Sequence, residues 1–154
     1  MTLSSFQFAL PGRVIFGRNE ARQAPALIRA FGGRGVLVHG ADPARAEWLI
    51  RALREARADV LAVACTAAPT LPMLEAALDE LRGSGAEWVV ALGGGAALDM
   101  GKALAALIPA PGGIMDHLEV VGLGLPLKAA PLPFVALPTT AGTGSEVTLV
   151  AVIR

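Results

Sequence analysis

The chain has one cysteine, two histidines, 5% aromatic residues and no surplus of charge of either sign. A single cysteine, Cys65, excludes an intramolecular disulfide and any Cys-x-x-Cys or Cys/His zinc spacing. It reads as a small apolar core residue rather than a nucleophile, and a reducing cytoplasm is the expected setting. Thirteen basic residues balance thirteen acidic ones, so no net field draws the chain to nucleic acid or to an anionic membrane surface. Any anionic ligand must be gripped locally. No run approaches the roughly 18 apolar residues of a membrane span, and no basic segment precedes the first apolar residues as a secretion signal requires.

What is present is small and apolar. The 154 residues are 54% hydrophobic and 17% charged, enough to bury one core and too apolar for a disordered chain. Short Val/Leu-rich runs, 14–16, 35–39, 60–64, 89–92 and 134–137, read as strands closed by Gly, Pro or polar residues. Between them, 20–31, 43–56, 71–82 and 96–108 carry apolar residues at helical three- and four-residue steps. Asp42 before Pro43 and Thr70 before Leu71 are helix N-caps, while Gly32, Gly33 and Gly83 supply helix ends. The alternation predicts an α/β fold, a doubly wound, mainly parallel sheet with helices on both faces. The proline- and glycine-rich stretch 109–133 interrupts it as a long excursion across the strand ends. The closing "EVTLVAVIR" reads as an extended segment from which the natural polypeptide is expected to continue.

Three consecutive glycines, Gly93 to Gly95, separate the strand ending at Leu92 from the helix opening at Ala96. Bare backbone amides at a helix N-terminus make an anion site, because a phosphate needs close approach and gains from the positive end of the helix dipole. This is not the spaced G-x-G-x-x-G fingerprint, and on glycine alone a tight packing turn explains the run equally well.

Two motifs supply the context. "GGGAALDMGKA" at 93–103 and "PTTAGTGSEVT" at 138–148 resemble the iron-containing (group III) alcohol dehydrogenase family, whose usual patterns are GGGSxxDxxKA and PTTAGTGSEVT. The second matches in full. "PGRVIFGRN" at 11–19 looks like that family's opening strand, and "APT" at 68–70 stands where the family usually has NPT. The resemblance implies a Rossmann-like N-terminal NAD(P)-binding domain, here residues 1–154, followed in the family by a helical domain that binds iron or zinc through one Asp and three His. With two histidines, this chain is not expected to hold that metal or the catalytic residues. Relatives of similar fold, the dehydroquinate synthases and glycerol dehydrogenases, usually lack GTGSE after PTT.

Carried over by that resemblance, Gly93, Gly94, Gly95 and the Ala96 amide form the cradle for the cofactor diphosphate, with Ala96 lacking the usual serine hydroxyl. Thr139 and Thr140 contact the cofactor, and Thr148 and Val152 line its nicotinamide end. Gly40 stands where family members often carry the aspartate that accepts from the adenosine ribose. An acid there repels a 2′-phosphate, so glycine favours NADP or dual use; Asp42 is the substitute ribose acceptor, and Arg45 a phosphate contact or a solvated helix residue. Asp99 is expected to bond loop amides or to pair with Lys102 three residues on, and Gly142, Gly144, Ser145 and Glu146 to shape their loop. His39 lies near the adenine or fills a crevice, Trp48 and Trp88 anchor the core, and adjacent Asp116 and His117 are not read as a metal pair. The expected partners are NAD(P)(H) and, in the whole enzyme, a small alcohol, aldehyde or ketone, with neither nucleic acid nor membrane; self-association into a homo-oligomer is left open. The isolated chain is expected to bind dinucleotide without turnover. Two other readings compete: a free-standing nucleotide-binding or regulatory module without redox chemistry, and a ligand-free flavodoxin-like scaffold.

Overall fold

The computed structural model describes residues 12–154; the stretch 1–11, including Pro11 of the opening motif, lies outside the described residues. Four strands form one parallel sheet: β1 (Arg34–His39), β2 (Asp59–Ala64), β3 (Trp88–Gly93) and β4 (Phe134–Pro138), in the order β2-β1-β3-β4. The helices are α1 (Ala24–Arg29), α2 (Glu47–Glu55), α3 (Leu71–Leu81), α4 (Gly95–Leu107) and the single turn α5 (Ile114–His117) within the 109–133 excursion.

Strand alternation divides the interior in two. Val36, Val38, Val89 and Ala91 point to α3 and α4, where Leu74, Leu78, Leu98 and Leu104 meet them. Leu37, Trp88, Val90 and Leu92 point the other way, onto Ile28 of α1 and Leu49 and Leu53 of α2. Helices therefore cover both faces, which is why the inner strands are apolar at nearly every position. Each such Leu or Ile contributes about 1.5–3 kcal/mol relative to leaving it exposed. Trp88 is fully buried as a strand anchor, and Trp48 packs half-buried against the same core.

Several expectations need correction. Among the described residues the run 14–16 is not a strand: Arg13 to Phe16 join no ladder there, and Phe16 is 98% exposed. A strand exists only by pairing, and no sheet edge among the described residues takes this run. The helix expected over 20–31 is broken into a 3-10 turn, Glu20–Gln23, and α1, because Pro25 has no N–H and clashes with the carbonyl four residues earlier. Likewise 43–56 splits into a 3-10 turn, Pro43–Arg45, and α2. The final segment begins as a 3-10 turn, Ser145–Val147, and becomes extended from Thr148, with Arg154 bonding Pro69 and Leu71 through its backbone.

Two close approaches set the sheet against its helices. A β-carbon on Gly101 would stand 2.8 Å from both the Ala91 β-carbon and Phe134 Cε2, so the bare position lets α4 lie low across β3 and β4. On the opposite face a β-carbon at Gly35 would overlap the Trp88 indole. Gly35→Ala is therefore expected to destabilise the chain by about 2 kcal/mol or more, as overpacking does. Gly40→Ala, with nothing within 4 Å of its added carbon, should leave the urea midpoint within error of wild type. Equal midpoints for the two variants would refute this account of the Gly35–Trp88 contact.

Candidate functional site

In a doubly wound sheet, ligands bind at the carboxyl edge where successive connections leave in opposite directions. Here that switch falls between β1 and β3, whose ends bring Gly40 and Gly93 side by side. A β-carbon on Gly93 would lie 2.7 Å from that of Ala97 and 3.5 Å from the Gly40 nitrogen. Gly93 is thus needed for packing strand end, helix and neighbouring strand together.

Gly94 is the extended N-cap of α4 and has no side chain to cap the helix, so the first-turn amides of Gly95, Ala96 and Ala97 face outward without a side-chain acceptor. They open a helix of thirteen residues, whose dipole has its positive end at this turn. The 138–148 loop closes over it. The Thr139 amide donates to the Gly93 carbonyl at 2.9 Å, extending the β3–β4 ladder. β-Carbons on Gly94 and Gly95 would come within 3.3 Å of Thr140 Oγ1 and 3.1 Å of Thr143 Cγ2. Both glycines keep the two loops close without contact between side chains.

The loop is tied to α4 by polar contacts. The Asp99–Lys102 pair forms at 3.0 Å, and Ser145 Oγ donates to the same carboxylate oxygen, Asp99 Oδ1, at 2.6 Å. Gly144 reaches the turn through a left-handed conformation (φ 67°), which glycine adopts without strain. Between the walls is a cleft of about 320 Å³ lined by Gly95, Ala96, Asp99, Thr143, Ser145, Thr148, Val150, Val152, Ala68, Pro69 and Arg154. The larger groove on the outside of α2, lined by Glu47, Ile50, Arg51, Arg54 and Glu55, is formed by residues of that one helix.

The structure gathers Gly95, Ala96, Thr148 and Val152 in one cleft, places Gly94 against Thr140, and leaves Gly93, Gly40 and Thr139 along the adjoining strand ends. Thr143 and Asp99 were not read as cleft walls from sequence, although the motifs carrying both were. Asp42 caps its own turn, accepting from the Ala44 amide at 3.0 Å, and pairs with Arg45 at 3.5 Å. Both side chains are exposed. His39 is buried and its Nδ1 donates to the Gly40 carbonyl at 2.7 Å. Asp116 accepts from the Gly113 amide, and His117 faces the carbonyls of Leu125 and Pro111, so both serve the excursion loop. Among the described residues no three His, Cys, Asp or Glu side chains gather as a metal site. No helix among them is long and apolar enough to cross a membrane.

A doubly wound parallel sheet with a glycine turn and a Pro-Thr loop facing each other at its carboxyl edge defines a Rossmann-like α/β protein. The chain belongs to the iron-containing alcohol dehydrogenase family, whose sequence profile matches residues 11–154. It is 41% identical over 85 residues to the probable alcohol dehydrogenase EutG of Escherichia coli strain K12, a match spanning 55% of this chain and 20% of that protein. A 4-hydroxybutyrate dehydrogenase from Cupriavidus necator is 35% identical over the same length, 55% of this chain and 22% of the other. Among solved structures, the sulfoacetaldehyde reductase of Bifidobacterium kashiwanohense in complex with NAD+ superposes with a TM-score of 0.79 at 31% identity, over 98% of this chain and 40% of that one. The chain thus spans about two fifths of this structural relative.

Beneath the cleft, Cys65 is buried, and its single S–H has two acceptors in reach, the Ala67 carbonyl at 3.2 Å and the Ala96 carbonyl at 3.5 Å. Burial pushes its pKa up, which keeps the thiol protonated and unreactive at neutral pH. Native Cys65 is expected to react with iodoacetamide at least roughly two orders of magnitude more slowly than in urea. Labelling at the rate of a free thiol would show that the cleft floor opens.

Proposed function

We propose that this chain is the N-terminal NAD(P)-binding domain of a metal-dependent alcohol dehydrogenase, an oxidoreductase in which hydride passes between nicotinamide and a small alcohol, aldehyde or ketone. The observation that carries the reading is the pairing of uncapped α4 amides with the PTTAGTGSEVT loop across one cleft at the sheet switch point. The complex of a 31% identical relative with NAD+ supports it.

The Gly94, Gly95 and Ala96 amides would hold the diphosphate, with Gly93 keeping the strand end close enough to expose them. Thr139 and Thr140 flank that turn, and Gly40 at the end of β1 borders the adenosine ribose. Thr148 and Val152 line the far wall of the cleft, at the nicotinamide end. When bound, the dinucleotide supplies or accepts the hydride; this chain's part is to bind it, orient it and offset the diphosphate charge with backbone dipoles. Metal ligands and most of the alcohol pocket belong, on this reading, to a further helical domain, and the enzyme works in the cytoplasm. The chain is expected to take up NADH and NADPH in a fluorescence titration, without alcohol-dependent turnover when iron or zinc is added. Failure to bind either dinucleotide refutes the proposal, and turnover at the rate of a complete dehydrogenase refutes the division between domains.

Open space around Gly40 makes the coenzyme preference testable. Gly40→Asp adds a carboxylate at a position where nothing lies within 4 Å of the new β-carbon, and its charge opposes a 2′-phosphate. It should weaken NADPH relative to NADH by about tenfold. An unchanged ratio would show that the ribose does not lie beside Gly40.

A further inference from the structure

Lys102 lies in the second turn of α4, and its distance in sequence from the glycine turn suggests a phosphate-binding ammonium. The geometry gives it other work. Its Nζ donates to the Ser145 carbonyl at 2.9 Å, to Thr148 Oγ1 at 3.1 Å and to the Val150 carbonyl. Asp99 Oδ1 stands 3.0 Å away, and the Lys102 and Asp99 side chains are only 10% and 15% exposed. An ammonium has three protons to donate, and three oxygens of a single segment together with one carboxylate already surround them. No donor remains for a ligand in the cleft.

All three oxygens belong to the segment that forms one wall of the cleft, whereas Lys102 and Asp99 are three residues apart on the helix that forms the other. We propose that Lys102 is a positioning residue for the dinucleotide site. Its ammonium, steadied by Asp99, clamps 145–150 against α4 and so fixes Thr148 and the approach to Val152. The inference rests on reading the cleft as a dinucleotide site. The ammonium has a second effect: it neutralises Asp99, a carboxylate that lines the same cleft and would otherwise repel a diphosphate held at the start of α4. Removing the amine releases the wall and unmasks that charge together.

The test combines hydrogen–deuterium exchange on the unliganded full chain with NADH titration at low and high salt. Lys102→Met should accelerate exchange across 145–150 while β1 and β3 keep wild-type protection. It should weaken NADH by roughly tenfold at low salt and less at high salt, where the unmasked carboxylate is screened. Lys102→Arg, which retains the charge and the donors, should recover part of the affinity. Ser145→Ala removes one tie to Asp99 and should give a smaller acceleration in the same segment, which decides the matter if Lys102→Met does not fold. Ile28→Val, in the core on the opposite face of the sheet, lowers stability without altering 145–150 or the affinity. The proposal is overturned if both site variants leave exchange of 145–150 at the wild-type rate, or if exchange rises uniformly through the sheet. It is also overturned if Lys102→Met loosens the segment while NADH affinity stays unchanged. If wild-type chain binds neither NADH nor NADPH, the dinucleotide reading fails, while the exchange measurements still decide whether Lys102 fastens the loop.

Discussion

A helix that starts with bare amides directly under a second loop has to solve two problems in one place. The amides must stay unclaimed by the chain's own side chains, and the loop must come close without filling the space above them. Omitting the β-carbons at Gly94 and Gly95 answers both, since Thr140 and Thr143 already stand at the limit of ordinary contact with where those carbons would be. Gly93 answers a different need, the packing of β3 onto α4 and against β1. The three glycines of the run therefore meet different steric demands: Gly93 those of the strand end and its neighbours, Gly94 and Gly95 those of the loop above them.

Asp99 makes this arrangement electrostatically demanding. A carboxylate near the start of a helix interacts favourably with the helix dipole, but it competes for the same positive field that an anionic ligand would use. Placing Lys102 one turn later restores neutrality locally, and the chain as a whole carries no excess charge to compensate from a distance. Because the pair is mostly buried, salt screens it less than it would an exposed pair. The Ser145 hydroxyl then completes the surroundings of Asp99 Oδ1. Neutralising the helix and fastening the loop are consequently one structure.

Much of this was legible in the chain because local chemistry decided it. All four runs that became strands are short, apolar and closed by breakers, and their boundaries shift by only a residue or so in the ladders. Asp42 and Thr70 cap the turns they precede, accepting from Ala44 and Met73. What failed was decided elsewhere. Residues 14–16 have strand composition, but strandedness depends on an available edge, which composition does not record. Pro25 was visible, yet the apolar period concealed that the chain would pass from a 3-10 turn to an α-helix there. The role of Lys102 was the least accessible of all: its partners lie 43 to 48 residues away, so only the fold brings them together.

The two faces of the sheet divide the labour. On the α1/α2 face, Trp88 over Gly35 and the leucines of α2 make contacts that serve the core alone. On the α3/α4 face, the helix that buries Leu98 and Leu104 in the core also presents Gly95, Ala96 and Asp99 to the cleft. The core beneath α4 thus supports the helix that carries the cleft residues, whereas the core beneath α2 contacts none of them. Gly101 marks where these demands meet, since any side chain there would lift α4 from Ala91 and Phe134 and carry the whole glycine turn with it. Precision at the carboxyl edge is set by packing in the middle of the helix, and the bareness of that position belongs to the site as much as the glycines at its mouth.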